Sequence, residues 1–237
     1  MIQPENLRFT IAILWCVVGF ASYYFLGRSR WLNARTETSC RWLDRQGNQV
    51  LLQRALGLLF LGLFSALIVL LLPHKGLSDF GLGFTFSALP PWWLWLLLRL
   101  VLFLSYKTAQ TPDNLKQYPH IRAITWTNPM LAISGFSWLL FLVGYEFLFR
   151  GFVFFASLDI MEPLPAMALN TTVYVFAHFY KGPGETFGTI PAGILFCYLT
   201  LLSGNIWSAV ILHSVMALSN EWFSLKFHPE MSVTKTP

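Results

Sequence analysis

Apolar runs close to the thickness of a bilayer recur along this chain, at residues 7–26, 51–72, 90–106, 129–158, 166–180, 187–202 and 206–225. About 20 such residues carry a helix across the hydrocarbon core. A soluble domain carries about a quarter charged residues, whereas this chain is 55% hydrophobic and 11% charged. In lipid every backbone polar group has to be satisfied within the span, which leaves helices or a closed barrel, and runs of this length favour helices. The expected fold is therefore an all-α integral membrane protein, about seven transmembrane helices around a polar intramembrane cavity.

The connections support that count. The first run meets Arg28 and Arg30 directly afterwards and has no basic leader, so it is expected to be a retained anchor rather than a signal peptide. Pro73 ends the second run, Gly76, Gly81 and Gly83 punctuate a connector over residues 74–88, and Pro90-Pro91 opens the third. Arg99 lies inside that third run and must face other helices or snorkel to an interface. An acidic turn with Asp159, Glu162, Pro163 and Pro165 separates the fourth and fifth runs, and residues 181–186 form a polar turn before the sixth, where Pro191 and Gly193 predict a kink. With seven spans and the N-terminus outside, twelve of the Lys and Arg residues fall on the cytoplasmic side and only Arg8 and Lys75 outside. That asymmetry supports span number and orientation together. The net charge of +5 is read as topology rather than as a nucleic-acid surface. Cys16, Cys40 and Cys197 are widely separated and imply no disulfide framework or cysteine metal cluster.

The fourth run contains the costliest residues. Glu146 and Arg150 sit four apart in the stretch Gly144-Tyr-Glu-Phe-Leu-Phe-Arg-Gly151 and share a helical face. A charge deep in the membrane is expensive enough to mark a functional site, although such a pair can also simply lock two helices. His178 and His213 are the other titratable groups within spans. At about 1.5 Å per residue, Glu146 lies roughly 18 Å from residue 158 and His178 roughly 20 Å from Pro165, so the two are level, and His213 and Asn220 bracket the same depth. Tyr174 and His178 share one face, as do His213, Ala217 and Asn220.

A carboxylate, two imidazoles, an amide and an arginine suit amide hydrolysis. Glu146 can take a proton from a water held against His178 and later return it to the leaving amine. His213 and Asn220 can donate to the developing oxyanion, and Arg150 favours the ionised carboxylate. Glu146, His178 and His213 also form a possible zinc set with an open position for water, but no His-Glu-x-x-His helix is present and nothing specific calls for metal. Serine chemistry is weaker, because Ser214 points about 100° away from His213 on a helix.

Over residues 135–220 the chain resembles the CPBP intramembrane proteases, which include the CAAX prenyl endopeptidases and bacteriocin-immunity proteins. Their Glu-Glu-x-x-x-Arg, Phe-x-x-x-His and His-x-x-x-Asn/Asp motifs are matched here by Tyr145-Glu146-x-x-x-Arg150, Tyr174-x-x-x-His178 and His213-x-x-x-Ala217. The resemblance implies a glutamate-activated water assisted by a histidine, with the last motif forming the oxyanion hole. It departs at three positions: Tyr145 replaces the leading glutamate, Tyr174 the phenylalanine, and Ala217 the amide, with Asn220 three residues further along the same face.

The expected organisation is an N-terminal part with basic cytoplasmic loops over residues 1–128, a CPBP-like catalytic core over 129–225 and a polar tail over 226–237. The first reading is an endopeptidase of the cell membrane, cutting a membrane-proximal bond in a membrane-associated peptide or protein, lipidated or not, without a cofactor. The alternative is a family member without turnover that binds or regulates a partner. A transporter would show repeated halves with matching broken helices, and only the sixth run is broken.

Overall fold

The computed structural model describes residues 3–83 and 92–234 of the 237. Pro90-Pro91, the end of the 74–88 connector and Lys235 lie outside the described residues. Helix α1 spans Pro4–Leu26 and α2 Arg30–Thr36. Helix α3, Arg45–Gly57, runs through a first π-helix, Leu58–Leu63, into α4, Phe64–Leu71. Then come α5 (Leu94–Thr108), α6 (Pro112–Gln117) and the short strand β1 (Thr125–Trp126). Helix α7, Asn128–Glu146, continues through a second π-helix, Phe147–Val153, into α8, Phe154–Leu158. Helices α9 (Pro163–Phe176), α10 (Pro183–Ser203) and α11 (Trp207–Phe227) follow, and β2 (Ser232–Val233) pairs in parallel with β1.

All seven apolar runs are helical where described, and the protein is an all-α membrane protein. Among the described residues, four helices have both the length and the apolar character to cross a membrane: Pro4–Leu26, Arg45–Leu71, Asn128–Leu158 and Pro183–Ser203. Helices α5 and α9, at 15 and 14 residues, are shorter than a full span, and α11 has the length but carries His213, Asn220, Glu221 and Lys226.

Helix boundaries follow their sequence signals. Prolines occupy the first turn of α6, α9 and α10, where a missing N–H costs nothing. Because Pro183 starts α10, the polar turn expected over 181–186 is shorter than the sequence suggests. Pro191 lies inside α10, which nevertheless runs as one helix to a left-handed Gly204 cap. The second span starts earlier than its apolar run, because the polar stretch from Arg45 is already helical. Arg99 is exposed on α5, which selects the outward of its two expected settings.

Two compact units divide the chain. The first comprises Met1–Ser22, Leu58–Pro90 and Val143–Val210. Its core packs Ala12, Val69, Phe80, Phe147, Phe152, Ala156 and Ile206, with the rings of Phe80 and Phe152 edge to face. Arg8 and Lys75 both reach Asp159, at 2.9 and 3.4 Å, and tie α1 and the connector to the turn after α8.

The second unit comprises Tyr23–Gly57, Pro91–Leu142 and Ile211–Pro237. Its core gathers Leu43, Val50, Ile121, Trp126, Met130 and Leu225. The Asn48 side chain satisfies Cys40 and Leu43 backbone groups, and Gln46 bonds both the His120 carbonyl and the Arg122 N–H.

Candidate active site

The motif stretch of residues 144–151 departs from regular α geometry. Its glutamate ends α7 and its remaining residues enter the second π-helix. Such segments are rare and frequently sit at functional sites. Just before the second π-helix, Gly144 of α7 faces Gly62 of the first π-helix so closely that a Cβ on Gly62 would lie 2.8 Å from the Gly144 Cα. Glycine on both sides is what allows this contact.

Glu146 and Arg150 are both fully buried, and one carboxylate oxygen lies 3.3 Å from a guanidinium nitrogen. The guanidinium also stacks on aromatic faces, 4.0 Å from the Tyr174 ring centroid and 5.0 Å from that of Phe196. A charge-paired, ring-covered guanidinium is the arrangement that makes a buried cation tolerable. The pair expected from the i, i+4 spacing is therefore formed, and Glu146 faces the protein interior.

His178 follows α9 directly and is buried. Its Nδ1 lies 2.9 Å from the Tyr174 carbonyl oxygen. A carbonyl only accepts, so Nδ1 donates in this contact, and in the neutral imidazole Nε2 is then the acceptor. The Tyr145 hydroxyl lies 3.5 Å from the same Nδ1, and the Tyr145 ring packs against Tyr174 and Phe149. The residue standing where the resemblance places a leading glutamate thus has its hydroxyl near His178, and Glu146 pairs with Arg150.

Of the sequence-predicted residues, Glu146, Arg150 and His178 belong to the first unit, together with Tyr145 and Tyr174. His213 and Asn220 lie on the part of α11 that belongs to the second unit, His213 buried and Asn220 half-buried. Among the described residues no three His, Cys, Asp or Glu side chains are grouped to hold a metal ion.

Two polar groupings escape a sequence reading. Asn170, on the face of α9 that also carries Tyr174 and His178, is fully buried and bonds the second π-helix. Its 170, 174, 178 spacing is the signal that could have found it. In the second unit Arg54, counted from sequence among loop charges, lies inside α3 and donates to the Ser134 carbonyl, the Ser134 and Ser137 hydroxyls and the buried carboxylate of Glu221. Glu221 also accepts from the His120 backbone N–H.

No curated protein and no solved structure shows significant similarity to the chain. A comparison with known families matches residues 90–219, more than half of the sequence, to type II CAAX prenyl endopeptidases of the Rce1-like group. That stretch contains α7, the second π-helix, α9 and the His213 turn of α11, in the motif order read from the sequence. This chain, an apolar helical protein with a buried Glu-Arg pair in its central helix, belongs to the Rce1-like family of type II CAAX prenyl endopeptidases.

Proposed function

We propose that the protein is an intramembrane endopeptidase that hydrolyses a membrane-proximal peptide bond near the lipidated C-terminus of a membrane-associated protein, with Glu146 as the base. Membership of the CAAX prenyl endopeptidase family supports a prenylated CAAX-type substrate. The observation that carries the reading is the fully buried Glu146–Arg150 pair where α7 passes into the second π-helix.

The steps balance with the chain's own groups. The substrate water gives one proton to the Glu146 carboxylate while its other hydrogen is held by His178 Nε2, the nitrogen that the Tyr174 carbonyl leaves as acceptor. The hydroxide adds to the peptide carbonyl carbon. The resulting oxyanion accepts hydrogen bonds from His213 and Asn220, roles proposed on the motif order alone. Glu146 then returns its proton to the amide nitrogen as the C–N bond breaks, releasing an amine and a carboxylic acid. Arg150 touches no substrate in this scheme; it holds the carboxylate in place and ionised. No metal is needed for any step.

The test is cleavage of a farnesylated C-terminal peptide and its unprenylated counterpart by the full chain in liposomes. Wild type should cleave the lipidated peptide, Glu146→Gln should lose about 10²- to 10⁴-fold in kcat, His178→Ala should lose comparably, and a chelator should change nothing. Full activity in Glu146→Gln would sink the assignment. One observation favours a second reading, a member that binds without turnover: a tyrosine, Tyr145, with its hydroxyl 3.5 Å from His178 Nδ1, stands where the resemblance places a leading glutamate. A wild type that binds the lipidated peptide without cutting it would establish that reading instead.

A further inference from the structure

We infer that Asn170 is a positioning residue that sets the π-helix that follows Glu146 and bears Arg150 against α9, whose exit leads to His178; the inference rests on the catalytic reading above. Asn170 is fully buried on α9, and its Nδ2 donates to the Phe149 carbonyl at 2.6 Å. Phe149 lies one residue before Arg150, inside the second π-helix. The same carbonyl accepts the Phe154 N–H, the five-residue bond that defines the wide turn. Both lone pairs of that oxygen are therefore engaged, one by the helix itself and one by α9.

The amide is held at its other end too. Its Oδ1 accepts the Cys197 thiol of α10 at 3.1 Å, which fixes which end of the side chain faces Phe149. Three elements, the π-helix, α9 and α10, thus meet on one amide. Asn170, Tyr174 and His178 follow one another at four-residue intervals. From a single face α9 grips the π-turn carbonyl, places a ring 4.0 Å from the Arg150 guanidinium, and supplies the carbonyl that orients His178. A displacement of this face by a fraction of a turn would move the base and the imidazole relative to each other.

A buried asparagine with no such role would affect folding alone. A positioning residue affects turnover in molecules that are folded and bind substrate. The experiment measures kcat and KM on the farnesylated peptide for Asn170→Leu, Cys197→Ala and Cys197→Ser, with thermal unfolding of each in detergent and Glu146→Gln in parallel. Misplacement of about 1 Å costs about 10²-fold. Asn170→Leu should therefore lose about that factor in kcat with KM unchanged. Cys197→Ala should lose several-fold, and Cys197→Ser, which keeps a donor, should stand closer to wild type than Cys197→Ala. Wild-type kcat in folded Asn170→Leu overturns the inference, as does a loss that only tracks the folded fraction. Should Asn170→Leu not fold, Cys197→Ala decides: a lowered kcat at constant KM supports the role, and wild-type kcat refutes it. Full activity in Glu146→Gln refutes the catalytic reading itself, so the two failures are told apart.

Discussion

Arg150 without Glu146 would be a bare guanidinium in an apolar interior, and the converse is worse for the carboxylate. Removing one partner of a buried ion pair costs about 3–5 kcal/mol, while replacing both by apolar groups is often neutral. Arg150→Met should therefore lower the unfolding temperature in detergent sharply, and the double change Glu146→Leu with Arg150→Met should recover most of the loss while remaining inactive. Thermal scans of wild type and the two variants check this. A double variant as unstable as Arg150→Met would show that the pair is not what holds this turn. The i, i+4 spacing in an apolar run made this pair legible from sequence. The role of Tyr145 was not legible in the same way. Spacing says that it points about 100° from Glu146, but only the packing of α9 determines that His178 stands on the Tyr145 side.

At the scale of elements, the two π-helices are features that no periodicity announces. The run Asn128–Leu158 is predominantly apolar throughout, so hydropathy carries no mark of where its turns widen. Gly62 of the first π-helix and Gly144, three residues before the second, approach each other closely. A methyl group at either position meets backbone rather than a movable side chain, and overpacking of this kind costs about 1–3 kcal/mol. Gly144→Ala should therefore lower both stability and turnover, since residue 144 stands two positions before Glu146. Gly188→Ala, on α10 with nothing near its added Cβ, should change neither. Unfolding temperature and kcat measured together are the check, and equal behaviour of the two variants would remove the glycine contact from the account. Helix lengths show the other limit of a sequence reading. The short α9 ends at Phe176, so His178 sits at the helix exit with its ring tied to the Tyr174 carbonyl, a placement set by hydrogen bonding rather than by hydropathy.

For the molecule as a whole, the apolar runs carry the fold class by themselves, because a bilayer permits few alternatives to helices of this length. The compact units are another matter. Each collects three separated segments, and a linear reading that divides the chain after residues 128 and 225 has no means of seeing contacts between distant segments. Orientation is where the whole sequence speaks at once. We propose that the N-terminus lies outside and the C-terminus in the cytoplasm, on the charge asymmetry of the loops. Arg28, Arg30, Arg35 and Arg41 then face the cytoplasm, as do Lys107, Lys116 and Lys181, while Arg8 and Lys75, which both pair with Asp159, lie on the opposite side. The consequence is specific to the catalytic reading: a CAAX-type substrate made in the cytoplasm must approach from the arginine-rich face. Protease protection of sealed cytoplasmic-side-in vesicles should leave a tag after residue 237 intact and remove one placed before residue 1. Inserting three lysines beside Lys75 should weaken that orientation, since positive charge is what retains a loop inside. Loss of the C-terminal tag in intact vesicles would reverse every loop and take the proposed direction of substrate entry with it.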